Sequence, residues 1–511
     1  MNKKYLPLFF FIPVVLVLWN MLLPGFVLTL DMAWTPDLPL EWSSDGFNNS
    51  YLIQALLHAL SLVIPSWLVQ KIMLVSLFFL LFYLPWRYLP WIKNETARVF
   101  ASFIFVLNPF VYSRMLAGQW MVLFGYALLP LLLHTLMSLT ENPNRKSALT
   151  FSGTLVLISL FSIHFLYISL IFSLFWIVAL TFRHYDFKTL RLYLLSTFTF
   201  VLFSLYWLAP ALTREVPLEA RFNAEHFEVF GASSNEPLGV MANVAVLGGF
   251  WGEDVGWKYY FVWPQAHILF MIAAVLILSL VCFGIYRGIR NPETRYITYV
   301  LIVIGVLAYI TALGAGNSPF KGLNLFLYEH VPLWNGLRDS QKIVGVLGLL
   351  YALFAGFGIE FLFTKLSNRM KDFIGIAVFC LPVLFGMYMW GGFHGQLNPV
   401  WYPNDWYKVK EILKNKSDDE KILVIPWHGY LSLDFASQRI VSNPTPTFFG
   451  KERLLASRSV EFGDVYDQEI DPKYRLLDYV IKNFETLSDE ESFEKKKKNR
   501  IEYLIIIKNK A

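Results

Sequence analysis

An acidic segment follows the first long apolar run of the chain. Residues 31–66 contain Asp31, Asp37, Glu41 and Asp45 but no Lys or Arg. Asp31 comes directly after the apolar run, among apolar and aromatic neighbours, which would partly desolvate its carboxylate and raise its basicity. Such a group is suited to act as a general base. Position alone leaves a second interpretation open, a surface or capping carboxylate.

Basic residues at predicted turns could bind an anion. Arg338 and Lys342 lie one helical turn apart at the start of an apolar run, and Arg114 lies in a turn between two others. A guanidinium group can engage phosphate through two parallel hydrogen bonds. We expect Arg338 with Lys342 to form a phosphate site, and Arg114 is the second candidate. The alternative is that these side chains snorkel or pair with Asp339.

Histidines and cysteines indicate no metal site of their own. His164, at a predicted turn, could contact a substrate or serve as a structural hydrogen-bond donor. Cys282 and Cys380 both fall inside apolar runs, so neither a disulfide framework nor a cysteine-based metal site is available.

The elements that must position these groups belong to a membrane protein. The chain is 56% hydrophobic and only 16% charged, whereas a soluble chain is about a quarter charged. The net charge of +5 does not indicate nucleic-acid binding, because the basic excess lies in short loops. Eleven apolar runs are long enough to span a bilayer, near residues 5–30, 68–86, 99–112, 120–139, 147–162, 165–182, 192–212, 265–286, 296–314, 343–364 and 373–391.

The loops between these runs are asymmetric in charge. One face carries fourteen basic residues against Glu95, Glu141, Asp186 and Glu293, and by the positive-inside bias this face is cytoplasmic. The fourteen are Arg87, Lys93, Arg98, Arg145, Lys146, Arg183, Lys188, Arg191, Arg287, Arg290, Arg295, Lys365, Arg369 and Lys371. We therefore expect a multi-pass plasma-membrane protein with its N-terminus in the cytoplasm. Residues 49–66 are apolar but short, which favours a helix along the outer interface over a buried re-entrant helix.

Two domains are expected. Residues 1–391 form the transmembrane domain, with external loops at 31–66, 213–264 and 315–342. Residues 392–511 hold 19 Lys plus Arg and 19 Asp plus Glu, a composition typical of a water-exposed domain. Helical spacing in residues 405–414 and two short apolar runs, 422–426 and 503–507, predict a small extracytoplasmic α/β domain.

The arrangement resembles the GT-C superfamily of integral-membrane glycosyltransferases, in a prokaryotic branch. The matching features are an acidic loop after the first helix, an interfacial helix within that loop, many further spans and an external C-terminal domain. The short motifs that carry the resemblance are Leu30-Asp31-Met32, Asn108-Pro109-Phe110, Gly118-Gln119-Trp120, Tyr402-Pro403-Asn404-Asp405-Trp406 and Ile425-Pro426-Trp427. The resemblance implies that Asp31 is the catalytic base, with Asp37 and Gln119 among the substrate-binding residues.

The resemblance also implies the substrates. The donor would be a sugar linked to polyprenyl phosphate, and the acceptor an extracytoplasmic glycan or lipid, with no nucleic-acid partner. Some members hold a divalent metal, Mg or Mn, through carboxylates. Asp31 and Asp37 are six residues apart rather than in a compact Asp-x-Asp, so a metal site at these two residues stays open.

Other functions remain as alternatives. A transporter or lipid-linked-sugar flippase would keep ionisable groups at membrane depth, whereas the predicted spans are almost free of them. A non-catalytic glycan-binding or assembly protein would share the fold. The sequence contains no Trp-Trp-Asp-Tyr-Gly motif, which disfavours transfer of a whole glycan to asparagine. The donor sugar, the acceptor and the partner proteins are not revealed by the sequence.

Overall fold

The computed structural model is mostly helical. It describes residues 6–40, 48–183, 187–213, 224–234, 238–253, 267–414, 421–437, 439–450, 454–457, 461–462, 465–466, 472–482 and 501–506. The helices up to residue 212 are α1 (Leu6–Phe9), α2 (Phe11–Leu18), α3 (Tyr51–Ser61), α4 (Ser66–Tyr88), α5 (Glu95–Val106), α6 (Pro109–Leu116), α7 (Trp120–Ala127), α8 (Leu129–Glu141), α9 (Arg145–Phe161), α10 (Ile163–Arg183) and α11 (Phe187–Leu212). A 3₁₀ helix, Trp19–Leu22, extends α2.

The second half of the helical part continues in the same manner. Its helices are α12 (Ala224–Val229), α13 (Val240–Ala245), α14 (Ile268–Arg290), α15 (Arg295–Ala312), α16 (Lys321–His330), α17 (Val344–Lys365), α18 (Asn368–Phe385) and the short turn α19 (Trp390–His394). A 3₁₀ turn, Ser340–Ile343, leads directly into α17. Helices α14 and α17 pack closely at Gly284, where a Cβ would lie 1.8 Å from the carbonyl oxygen of Phe354.

Six helical segments of the described chain are long and apolar enough to cross a membrane. They are α4, α7 with α8, α11, α14, α15, and the 3₁₀ turn with α17. A bent pair, α5 with α6, makes a seventh if it counts as one span. The chain is thus a multi-pass membrane protein. The predicted number of eleven spans is not confirmed: several predicted runs coincide with shorter helices, and the first run ends as a helix at Leu22 rather than at residue 30.

The predicted interfacial segment forms helix α3. Its polar side chains face the protein: the Asn48 amide donates to Gln54, and His58 Nδ1 lies 2.6 Å from the carbonyl oxygen of Leu38. Leu52 and Leu56 are more than half exposed on the other side. The helix is therefore amphipathic, with an outward apolar face; its position in the interface stays a prediction.

Strands and helices alternate in the C-terminal region, residues 399–506. The strands of the chain are β1 (Phe26–Val27), β2 (Pro399–Val400), β3 (Lys421–Ile425), β4 (Tyr430–Leu433), β5 (Arg439–Ser442), β6 (Leu454–Leu455), β7 (Glu461–Phe462), β8 (Val465–Tyr466) and β9 (Ile501–Ile506). The C-terminal helices are α20 (Asn404–Lys414), α21 (Thr445–Phe449) and α22 (Pro472–Lys482). A parallel sheet has the order β6-β3-β9, while β4 and β5 form an antiparallel hairpin.

Candidate functional site

A break between α5 and α6 places Arg114. Asn108 interrupts the span and caps α6, because its Oδ1 accepts from the backbone N–H of Val111 while its Nδ2 donates to the carbonyls of Ile104 and Phe105. Pro109 then occupies the first position of α6, where its missing N–H is tolerated. The two helices meet at 42°. The Asn108-Pro109-Phe110 motif is therefore explained by helix geometry.

The end of α6 supports the first loop. Gly118 adopts φ +70° and its N–H donates to Met115 O, while the N–H of Gln119 donates to Arg114 O, which is a Schellman ending. The carbonyl groups left free by the helix end accept from the loop instead: Leu116 O from the Thr29 hydroxyl, and Ala117 O from the Asp31 N–H at 3.0 Å. A Cβ at Gly118 would come within 2.5 Å of Met32 N, so the approach requires glycine.

Asp31 lies at the tip of a tight turn. Thr29 and Met32 exchange two backbone hydrogen bonds, of 3.2 and 2.6 Å, which leaves Leu30 and Asp31 as the central residues. The C-terminal region holds the same turn from the other side, because Ser442 N donates to Leu30 O at 2.6 Å. β1 also pairs with β2, with Phe26 opposite Val400. The turn is therefore fixed between the helices and the C-terminal region.

Two neutral donors hold the Asp31 carboxylate. Gln119 Nε2 donates to Oδ2 at 2.9 Å, and the Tyr430 hydroxyl donates to Oδ1 at 3.0 Å. The side chain remains open to solvent, yet the surrounding protein partly desolvates it, and this desolvation raises the pKa of Asp31. The two hydrogen bonds and Lys342 each lower that pKa, but by less than desolvation raises it. A carboxylate that is accessible but desolvated lies in a recess, where it can meet a substrate and accept a proton.

Arg114 connects this recess to a buried ion pair. Its guanidinium group is fully buried and forms a fork with both carboxylate oxygens of Asp339, one bond measuring 2.9 Å. The same two Nη atoms donate to Gln119 Oε1 at 2.7 Å and to Gln341 Oε1. All four terminal N–H groups are thus engaged. Arg114 was predicted as a second phosphate ligand, and its geometry instead fixes the amide of Gln119 beside Asp31.

Lys342 lies on the other side of Asp339. Its Nζ is 3.4 Å from Asp339 Oδ2 and its side chain is 9% exposed. Burial alone would raise the pKa of Asp339, but Arg114 and Lys342 hold it well below its usual value. Lys342 is within electrostatic range of both Asp31 and His164, and Arg338 is in range of His164. The predicted residues Asp31, Arg114, Gln119, His164, Arg338 and Lys342 therefore converge on one site.

Asp37 stands apart from this cluster. Its side chain is 66% exposed and forms an ion pair with Lys410 of α20. Glu41 and Asp45 lie outside the described residues. Among the residues that the structure describes, no group of three or more His, Cys, Asp or Glu could hold a metal ion. Asp31 and Asp37 belong to no such group among the described residues, so these residues do not fit a divalent metal that would bridge the two carboxylates.

Two residues of the site escape sequence reasoning. Tyr430 reaches Asp31 across 399 positions of sequence, and its only local signal is that it begins a short apolar strand. Gln341 lies between the predicted residues Arg338 and Lys342, and its Nε2 donates to Gly248 O at 3.2 Å. A side-chain amide carries no charge that would single it out in a sequence.

Known proteins share this fold. No protein-family model and no curated protein sequence matches the chain. Among solved structures, the arabinofuranosyltransferase AftD from Mycobacteria superimposes with a TM-score of 0.66 at 13% identity, covering 99% of this chain. A mutant form of AftD gives a TM-score of 0.59 at 15% identity over 90% of this chain.

The match covers only part of AftD. This chain spans about a third of AftD, 35% and 33% of the two solved chains. Identity this low establishes the fold alone. At that level the comparison agrees with the resemblance drawn from the short motifs: over nearly its whole length, this chain has the fold of the arabinofuranosyltransferase AftD.

Proposed function

We propose that the protein is a membrane glycosyltransferase that moves a sugar from a polyprenyl-phosphate donor to a hydroxyl group of an extracytoplasmic glycan or lipid. The proton of that hydroxyl passes to Asp31 as its oxygen attacks the anomeric carbon. The bond between this carbon and the phosphate oxygen breaks, and its electron pair stays on the polyprenyl phosphate. Attack from the face opposite the leaving group inverts the anomeric configuration. The fold shared with AftD supports this class of enzyme.

The contrast between two carboxylates carries the proposal. Asp339 accepts from Arg114 and pairs with Lys342, so its pKa is lowered and it is a poor base. Among the described residues, the donors to Asp31 are the neutral groups of Gln119 and Tyr430, and desolvation raises the pKa of Asp31. A general base is most effective when its pKa approaches the working pH. Of these two neighbouring acids, Asp31 has the environment of a base.

The phosphate site is proposed beside Lys342. Arg114 and Asp339 neutralise each other, which leaves Lys342 and Arg338 as further positive groups among the described residues of this cluster. Lys342 lies in the first turn of the helical segment that becomes α17, and a helix N-terminus favours an anion. Both groups would stabilise the charge that develops on the departing phosphate. His164 and Gln119 would contact the donor from the facing helices.

The direction of the helices supports an extracytoplasmic site. α4 and the segment that contains α17 both begin near the recess, at Ser66 and Ser340, and both end at the basic face, at Arg87 and Lys365. The recess and the basic face are therefore at opposite ends of the spans. If the basic face is cytoplasmic, as its charge indicates, then Asp31 and the C-terminal region are outside, where lipid-linked sugars would be used.

The test is sugar transfer by the purified protein in liposomes, supplied with polyprenyl-phosphate sugars and assayed by mass spectrometry of the products. Asp31→Asn keeps size and hydrogen bonding but removes the proton acceptor, so turnover should fall by roughly 10²–10⁴-fold. Asp405→Asn is the matched control, because that carboxylate is 85% exposed and paired with the exposed Lys408 on the same helix, and it should change turnover less than about threefold.

Three results would overturn the proposal. Full transfer by the Asp31 variant would remove the base. If the unmodified protein transfers no sugar from a panel of polyprenyl-phosphate donors but moves a lipid-linked sugar across the liposome, it is a flippase. Binding of glycans without turnover would identify an assembly or glycan-binding protein.

A further inference from the structure

We infer that Tyr430, contributed by the C-terminal region, is a positioning residue for Asp31, so that the active site is complete only when this region is docked on the first loop. The inference rests on the proposed function, because it assigns a role within that reaction. The observation behind it is a closed set of contacts that ties the Tyr430 hydroxyl to the turn bearing the base.

The contacts form a ring. Ser442 donates its N–H to Leu30 O at 2.6 Å, and Ser442 is the cross-strand partner of Tyr430 in the β4–β5 hairpin. The Tyr430 hydroxyl in turn donates to Asp31, the residue after Leu30, at 3.0 Å from its Oδ1. Because the hairpin is registered on the backbone beside Asp31, the hydroxyl has little freedom relative to the carboxylate.

The second carboxylate oxygen is fixed from the membrane side. Gln119 donates to Oδ2, and Arg114 fixes the Gln119 amide in the orientation that allows this. The carboxylate is thus held by one donor from the helices and one from the C-terminal region. Each carboxylate oxygen can accept more than one hydrogen bond, so Asp31 keeps free lone pairs for an acceptor hydroxyl. Without Tyr430, the carboxylate could rotate out of line with that hydroxyl.

The docking surface is extensive. The Tyr402 hydroxyl donates to Trp34 O at 3.0 Å, Lys410 pairs with Asp37, and β2 pairs with β1. These contacts lie on both sides of Asp31 in the sequence, so they hold residues 26–37 against the C-terminal region. Within this surface, Tyr430 is the residue whose side chain donates a hydrogen bond to the proposed base, Asp31.

Tyr430→Phe tests the role, because it preserves the ring and removes only the hydroxyl. The hydrogen bond from the hydroxyl to the charged carboxylate holds Asp31 in position, so its loss should lower kcat roughly 10–100-fold. The KM for the lipid donor should stay within about twofold. The charged groups in range of Asp31 are Lys342 and Asp339, which the variant leaves unchanged. Tyr407→Phe, on α20 and partly exposed, is the control and should retain full kcat.

The pH profile separates positioning from a purely structural effect. The Tyr430 hydroxyl lowers the pKa of Asp31, so its removal should raise that pKa further and move the acidic limb of kcat to higher pH. A merely loosened fold would lower kcat at every pH without this shift. An unchanged limb, or a kcat equal to that of the Tyr407 variant, overturns the inference.

A measurement without substrate distinguishes this inference from the proposed function. Infrared difference spectra during a pH titration, with the Asp31 band assigned by Asp31→Asn, report protonation of that carboxyl group directly. A higher midpoint in Tyr430→Phe supports the contact as a determinant of the base. The same midpoint in both proteins overturns it. Absence of sugar transfer in the unmodified protein would instead defeat the proposed function, whereas a shifted midpoint would still show that Tyr430 lowers the pKa of Asp31.

Discussion

The buried pair of Arg114 and Asp339 should be strongly coupled in stability. Both side chains are almost completely buried, 0% and 5% exposed, and they share a two-pronged hydrogen bond. Asp339→Asn leaves the buried Arg114 without its carboxylate partner and should lower the free energy of unfolding by about 3–5 kcal/mol. Arg114→Met should cost less, because Lys342 still pairs with Asp339. In the double variant neither charge remains, and the loss should be smaller than the sum by about 2–3 kcal/mol.

Transfer activity should not follow stability in this cycle. Arg114 also orients Gln119, and Gln119 holds Asp31. The double variant should therefore regain part of its stability but remain slow, since the Gln119 amide is free to turn. Stability is measured by reversible SDS titration in mixed micelles, and activity by the transfer assay on the same samples.

An exposed ion pair provides the control. Lys321 and Glu228 are 3.2 Å apart but 43% and 52% exposed, so their coupling should be less than about 0.5 kcal/mol. A coupling this small for Arg114 and Asp339 would refute the argument that they are desolvated. Recovery of full transfer by the double variant would refute the positioning of Gln119.

Two further predictions address the loop and the topology. Gly118→Ala places a Cβ against the first loop at positive φ, which should cost about 1–2 kcal/mol of stability from backbone strain alone and should also reduce transfer. Gly153→Ala is the control and should be tolerated, because a Cβ there meets nothing within 4 Å. Equal stability and equal transfer in the two variants would contradict the close approach of the loop to Gly118. A membrane-impermeant thiol reagent added outside cells should label Lys408→Cys and miss Lys146→Cys, both exposed positions, and the reverse labelling would invert the proposed topology.

Local signals in the sequence account for much of the membrane part. A long apolar run with basic residues at its end predicts a helix such as α14, because the bilayer leaves backbone groups no other partners. The sequence singled out Asp31, Arg338 and Lys342 as candidate site residues, because a charged residue next to an apolar run is energetically costly and therefore uncommon. The number of spans was harder to predict, because composition could not show that α5 and α6 are bent at Asn108. The run predicted at 120–139 does coincide with the single segment formed by α7 and α8.

The partners of these charges were not predictable in the same way. Asp339 was considered as a partner of the basic residues, but its fork with Arg114 depends on packing between elements 225 residues apart. The contact of Tyr430 with Asp31 depends on a strand register in the C-terminal hairpin. Such pairings are set by tertiary structure, which leaves no periodic pattern in the chain.

The separation of Asp31 from Tyr430 also has a consequence for biosynthesis. At about 5–20 residues per second, the 399 positions between them take about 20–80 s to translate. During that interval the strands that fix the Asp31 turn, β2 and β5, have not yet been made. The Asp31 carboxylate therefore lacks the Tyr430 hydroxyl until the β4–β5 hairpin has been synthesised and docked. Under the proposed function, sugar transfer would begin only after that late step of folding.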